Sequence, residues 1–136
     1  MAKSQSLLSK AYMVEATVEL PTASGTVVGP TVGAGTLVLA AGVECIDAVD
    51  DVTSYTVAVS DGTTAFMAAT SVDAASAGTF VYGTQTQAVI AAEDTLDAVA
   101  AISGSPAAAT ARVWAIVVDV NAAHRAAAEV DRDVLA

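Results

Sequence analysis

A chain of 136 residues with a formal net charge of −10 is long enough for one ordinary domain and too short for two. Between Lys10 and Arg112 it has no lysine, arginine or histidine, while Glu15, Glu19, Glu44, Asp47, Asp50, Asp51, Asp61, Asp73, Glu93, Asp94 and Asp97 recur along the same stretch. Such a body lacks the clustered cations that nucleic acid or an anionic membrane surface requires, which sets both partners aside.

Residues 1–11 hold serines, Lys3, Lys10 and the pair Leu7-Leu8 without alternation, the composition of an arm that orders on contact. The apolar run after Lys3 is too short for a secretion signal. From residue 14 the period is two: Val14, Ala16, Val18 and Leu20 alternate with Glu15, Thr17 and Glu19, so one face of a strand turns inward and the other meets water. Residues 21–43 are free of charge, yet their glycines, Pro30 and threonines read as turns and short strands rather than as a membrane span. Residues 36–40 and 43–49 are expected as two strands broken at Gly42 by a bulge or bend. Tyr55, Val57 and Val59 alternate with Ser54, Thr56 and Ala58, and Asp61-Gly62 closes that strand with a turn.

Short strands follow at residues 64–69, 79–83 and 86–91. Residues 91–102 would also suit a helix, but the surrounding β pattern and the turn at Gly104-Ser105-Pro106 favour a strand. Residues 112–120 are apolar on both faces, Trp114, Ile116 and Val118 opposing Val113, Ala115 and Val117, so a second sheet must cover one side and an arm or neighbour the other. After a capping Asn121 the alanine-rich tail places Arg125 four residues before Glu129 and gathers Val130, Val134 and Leu135 into a small docking face. The expected class is all-β, a jelly-roll-like or β-sandwich single domain over residues 12–120, with an N-terminal arm at 1–11 and a C-terminal tail at 121–136.

Candidates for chemistry are weak. Cys45, the single cysteine, sits between apolar neighbours as a buried side chain would, and the sole histidine, His124, lies in the tail. Asp50-Asp51 with Asp61 or Asp73 matches no calcium loop, and Glu93-Asp94 with Asp97 has no aromatic platform of the kind that accompanies glycoside cleavage. Gly33-Ala34-Gly35 lacks the helix and lysine of a phosphate loop. No catalytic, cofactor-binding or metal-ligating residue is assigned. The residues expected to touch a partner are Lys3, Leu7, Leu8, Lys10, Arg125, Val130, Arg132, Val134 and Leu135.

The runs Thr36-Leu37-Val38-Leu39, Tyr55-Thr56-Val57-Ala58-Val59-Ser60-Asp61-Gly62-Thr63, Ala69-Thr70-Ser71-Val72-Asp73-Ala74-Ala75-Ser76-Ala77-Gly78 and Ala111-Arg112-Val113-Trp114-Ala115-Ile116-Val117-Val118-Asp119-Val120 resemble small β-rich decoration or cement proteins of tailed-bacteriophage heads. That resemblance, over residues 14–120, implies a jelly-roll-like fold, a place on the outer capsid surface of the virion and no enzymatic residues. It implies contact with the major capsid protein, and the chain can also meet copies of itself as a dimer or trimer. The rival expectation is a carbohydrate-binding or adhesive β-sandwich of a head or tail fibre. That reading would need exposed Trp or Tyr, whereas Trp114 is expected inside a buried strand.

Overall fold

The computed structural model describes residues 10–49, 52–73 and 75–120, and all regular structure among them is β. The strands are β1 (Ala11–Leu20), β2 (Gly25–Val27), β3 (Thr31–Val32), β4 (Thr36–Cys45), β5 (Val52–Ser60), β6 (Ala65–Ser71), β7 (Thr79–Val81), β8 (Ala88–Ile90), β9 (Asp94–Thr95), β10 (Asp97–Gly104) and β11 (Ala109–Asp119). One sheet has the order β1-β11-β4-β7, with β8 also on β4; the second runs β2-β10-β5-β6, and β3 pairs with β9. All pairs are antiparallel. Successive strands pass from one sheet to the other, β1 to β2, β4 to β5, β6 to β7 and β10 to β11, which is the winding of a jelly roll.

Alternation decides which side chains the two sheets enclose. Tyr55, Val57 and Val59 of β5 face Ala98, Ala100 and Ile102 of β10 across the register, and Val113, Ala115 and Val117 of β11 meet them from the other sheet side with Val38, Ala41 and Val43 of β4. The core is built from valine and alanine around a few larger groups, Tyr55, Phe66, Met67, Leu20 and Leu96. Each fully buried valine contributes roughly 1.5–3 kcal/mol, so breadth of packing rather than aromatic mass holds the sandwich. Cys45 is fully buried as expected, and that burial pushes its thiol pKa up.

Two expectations are corrected. Gly42 does not break β4, which is continuous from Thr36 to Cys45; the register slip lies instead where Ala40 pairs Ile116 and Val38 pairs Val117, leaving Leu39 as the extra residue. The strand also stops at Cys45 rather than at residue 49, because the N–H groups of Ile46 and Asp47 both turn to the carbonyl of Thr110. The residues 91–102 do form strand, as β9 and β10. Asp61 accepts from the N–H groups of Thr63 and Thr64 at 2.9 and 2.7 Å, and Gly62 takes φ +92°, so the Asp-Gly turn forms where expected.

Between β7 and β8 the edge of β4 lacks a strand partner, and two side chains stand in for one. Gln85 Oε1 accepts from the N–H of Ala41 at 2.8 Å, and Gln87 Nε2 donates to the carbonyl of Leu39 at 3.3 Å. Gln85 also bridges to Met67 on β6, which ties the two sheets together along this side.

Candidate functional site

The two sheets differ on their outer faces. On the β2-β10-β5-β6 sheet the outward residues are small or hydroxylic, Thr26, Thr56, Ala58, Ser60, Val99, Ala101 and Ser103. On the β1-β11-β4-β7 sheet they include charged groups, Glu15, Glu19, Glu44 and Arg112, beside large apolar ones, of which Met13, Phe80, Tyr82 and Val89 are each at least half exposed, at 54%, 65%, 58% and 52%. Register brings them together: Met13 lies opposite Ile116, Glu15 opposite Trp114, Glu44 opposite Arg112, and Phe80 opposite Glu44. Met13, Glu15, Glu44, Phe80, Arg112, Trp114 and Ile116 line a groove of about 410 Å³.

Trp114 lies on this outer face, which corrects the expectation that it is enclosed within its strand. Its side chain points away from Val113 and Ala115, both fully buried, and settles on Gly42 directly across the ladder. A Cβ at Gly42 would stand 2.5 Å from the Trp114 Cζ2, so glycine is what lets the indole lie flat on β4. The ring of Tyr82 stacks with it at 6.0 Å between centroids and 4° between planes. Trp114 Nε1 is buried and finds no acceptor among the described residues.

One end of the groove is charged. Arg112 Nη1 donates to Glu44 Oε2 at 3.0 Å, and Arg112 Nε lies 3.7 Å from Glu15 Oε2. One guanidinium thus serves two carboxylates and leaves a net negative charge beside the apolar floor. Exposed pairs of this kind are each worth under about 1 kcal/mol, so their main effect is on which partners the face accepts.

Of the residues expected to touch a partner, Lys10 is exposed directly before β1; Lys3, Leu7, Leu8, Arg125, Val130, Arg132, Val134 and Leu135 lie outside the described residues, as does His124. Of the carboxylates considered for calcium or glycoside chemistry, Glu93 is exposed and four others are engaged locally. Asp61 holds its turn, Asp73 accepts from the N–H of Tyr55, Asp94 accepts from the N–H of Thr95 at 2.8 Å, and Asp97 accepts from Gly29 at 3.4 Å. Asp50 and Asp51 lie outside the described residues. Among the described residues no three His, Cys, Asp or Glu side chains gather as a metal site would require.

The Phe80-Tyr82 pair and the groove it forms with Met13 and Glu15 were not singled out from sequence. Phe80 and Tyr82 are two apart and so share a strand face, a readable signal, but which strands stand beside them depends on a β4–β7 pairing that spans some thirty-five residues.

No protein-family model matches this chain, and no curated protein matches it. In fold it is similar to a chain of the cyanophage Pam1 capsid asymmetric unit, at a TM-score of 0.62 and 15% identity, over 81% of this chain and 85% of that one.

Proposed function

We propose that this chain is a structural protein of a bacteriophage virion that decorates or cements the outer capsid surface by bridging neighbouring capsid subunits. The observation that carries this reading is the outer face of the β1-β11-β4-β7 sheet, where Met13, Phe80, Tyr82, Trp114 and Ile116 present an apolar surface on an otherwise acidic body. Apolar area of that extent marks a place of association. The fold likeness supports the same reading: the two chains are of similar length, so the neighbour in the capsid asymmetric unit is a small unit rather than a domain of a much larger subunit. The role is mechanical, with no catalytic residue invoked. The face contributes the apolar contact, and Lys3, Lys10, Arg125 and Arg132 add cationic contacts to carboxylates on neighbours, so that several weak contacts on one rigid body sum to durable attachment.

A second reading, carbohydrate binding or adhesion, gains from the outward position of Trp114 and Tyr82 beside Glu15, Glu44 and Arg112. It is the weaker one, because the indole rests on Gly42 and stacks with Tyr82, which occupies ring surface that a sugar would use. Particles assembled without this chain, mixed with the purified parent, the Phe80→Ser/Tyr82→Ser variant and the Arg125→Ala/Arg132→Ala variant across a salt series, test the proposal. Binding by the parent, strong loss in the aromatic variant and a flatter salt profile in the arginine variant are expected. No binding to particles, together with capture on a glycan array, would replace the capsid reading with the second one.

A further inference from the structure

We propose that the groove on the β1-β11-β4-β7 sheet is the docking site of the chain's own N-terminal segment, residues 1–9. The groove begins on the strand that this segment leads into. Ala11 is the first residue of β1 and pairs with Val118, and Met13, two residues further on, already lines the groove. From β1 to β7 is three strand spacings, about 14 Å, and the register sets Phe80 level with Thr17, about 13 Å further along β1 than Met13, so the diagonal of the floor is about 20 Å, whereas nine extended residues reach about 30 Å. Length therefore permits the segment to cross the whole floor from Met13 to Phe80.

Chemistry selects this segment over the other candidates. The groove is apolar, with Glu15 and Glu44 sharing one Arg112, and it belongs to a body whose other carboxylates far outnumber Lys10 and Arg112. Residues 1–10 offer Leu7 and Leu8 for the floor and Lys3 and Lys10 for the carboxylates, with no acidic residue among them. Residues 121–136 carry Arg125 and Arg132 but also Glu129, Asp131 and Asp133, so they bring no net positive charge. A second body docking face to face would bring two acidic surfaces together. Tethering then favours the same molecule: a segment that ends at Lys10, three residues before Met13, is present at the groove at a millimolar effective concentration, which a second copy reaches only when crowded. The segment and any external partner of this face use the same surface, so one of them occupies it at a time.

Trp114 is the only tryptophan and lies in the groove, which makes it the reporter. In the full-length chain Leu7→Ser/Leu8→Ser should raise the acrylamide quenching constant about twofold and move the emission to the red, as cover is removed from the indole. Far-UV circular dichroism and the melting temperature of the body should stay as in the parent. Lys3→Glu/Lys10→Glu should act in the same direction, most strongly at low salt. The parent's protection should not change on dilution. Unchanged quenching in the leucine variant overturns the proposal, and protection that disappears on dilution overturns it in favour of a second copy. These measurements use free protein, so they stand or fall separately from particle attachment.

Discussion

Gly42→Ala is the smallest change that tests how the outer face is built. The added Cβ would meet Trp114 Cζ2 at 2.5 Å and Cε2 at 2.8 Å, and it would also meet the carbonyl oxygen of Val81 at 2.9 Å. The indole can lift away, but the carbonyl belongs to β7, which is paired to β4 through Val43 and Cys45, so the strand must shift as well. Overpacking of this kind costs about 1–3 kcal/mol. Loss of the Tyr82–Trp114 stack adds about 0.5–1.5 kcal/mol. A fall in stability of roughly 2–4 kcal/mol follows, which for a domain of this size lowers Tm by roughly 8–15 °C. Gly33→Ala is the control, since its Cβ would find only Thr36 Oγ1 at 3.9 Å, an ordinary contact. Urea and thermal unfolding, with Trp emission as a second probe, read the effect. If Gly42→Ala melts within two degrees of the Gly33→Ala control and its emission maximum does not move, the indole does not lie on β4 and the described groove is wrong.

Gln85→Ala should destabilise by about 1–3 kcal/mol, because the N–H of Ala41, a fully buried residue, loses its acceptor; denaturant unfolding checks it, and an effect below 0.5 kcal/mol would mean that water replaces the amide at little cost. The pH dependence should be set at the alkaline end by Tyr55, whose buried hydroxyl donates to the Pro21 carbonyl at 2.6 Å. Burial first, and the neighbouring Cys45 second, push its pKa up to about 12. A phenol that ionises later in the folded state than in the unfolded chain contributes stability that is whole below pH 10 and is lost as pH rises toward 12. Tyr55→Phe should flatten that limb of the stability profile, and an unchanged limb in the variant would assign the loss to another group.

The strands were legible where one physical signal decided them. β1 and β5 alternate plainly, the Asp61-Gly62 turn carries its own chemistry, and the small residues of β10 were correctly preferred as strand because a helix would have stood alone in an all-β chain. Gly42 misled because glycine inside a strand has two common causes, a bulge or the close approach of a neighbour, and sequence does not distinguish them. Here the neighbour is Trp114, seventy-two positions away, and the bulge falls at Leu39, which has no compositional mark. The site was illegible for a related reason. The composition of residues 112–120 requires cover on both faces, and the inner face has that cover. Its outer face is completed by Met13, Glu44 and Phe80 from three other strands, and only the register brings them to one groove.

The charge pattern and the apolar face have a joint consequence that neither has alone. An exposed aromatic and aliphatic surface on a neutral body would pair with its own kind, because burial of apolar area is indifferent to the partner. Here the rim carries Glu15 and Glu44 around Arg112, and Glu19, Asp47, Asp61, Asp73, Glu93, Asp94 and Asp97 extend the same sign over the body. Repulsion between two such bodies acts within about 8 Å at physiological salt, close enough to oppose face-to-face docking but too short to affect steering from afar. The charge thus works as a selector: it weakens self-pairing and favours apolar surfaces rimmed with lysine or arginine. Raising the salt concentration removes the selector while leaving the apolar contact, so a chain built this way becomes more prone to self-association under the conditions that weaken its cationic contacts.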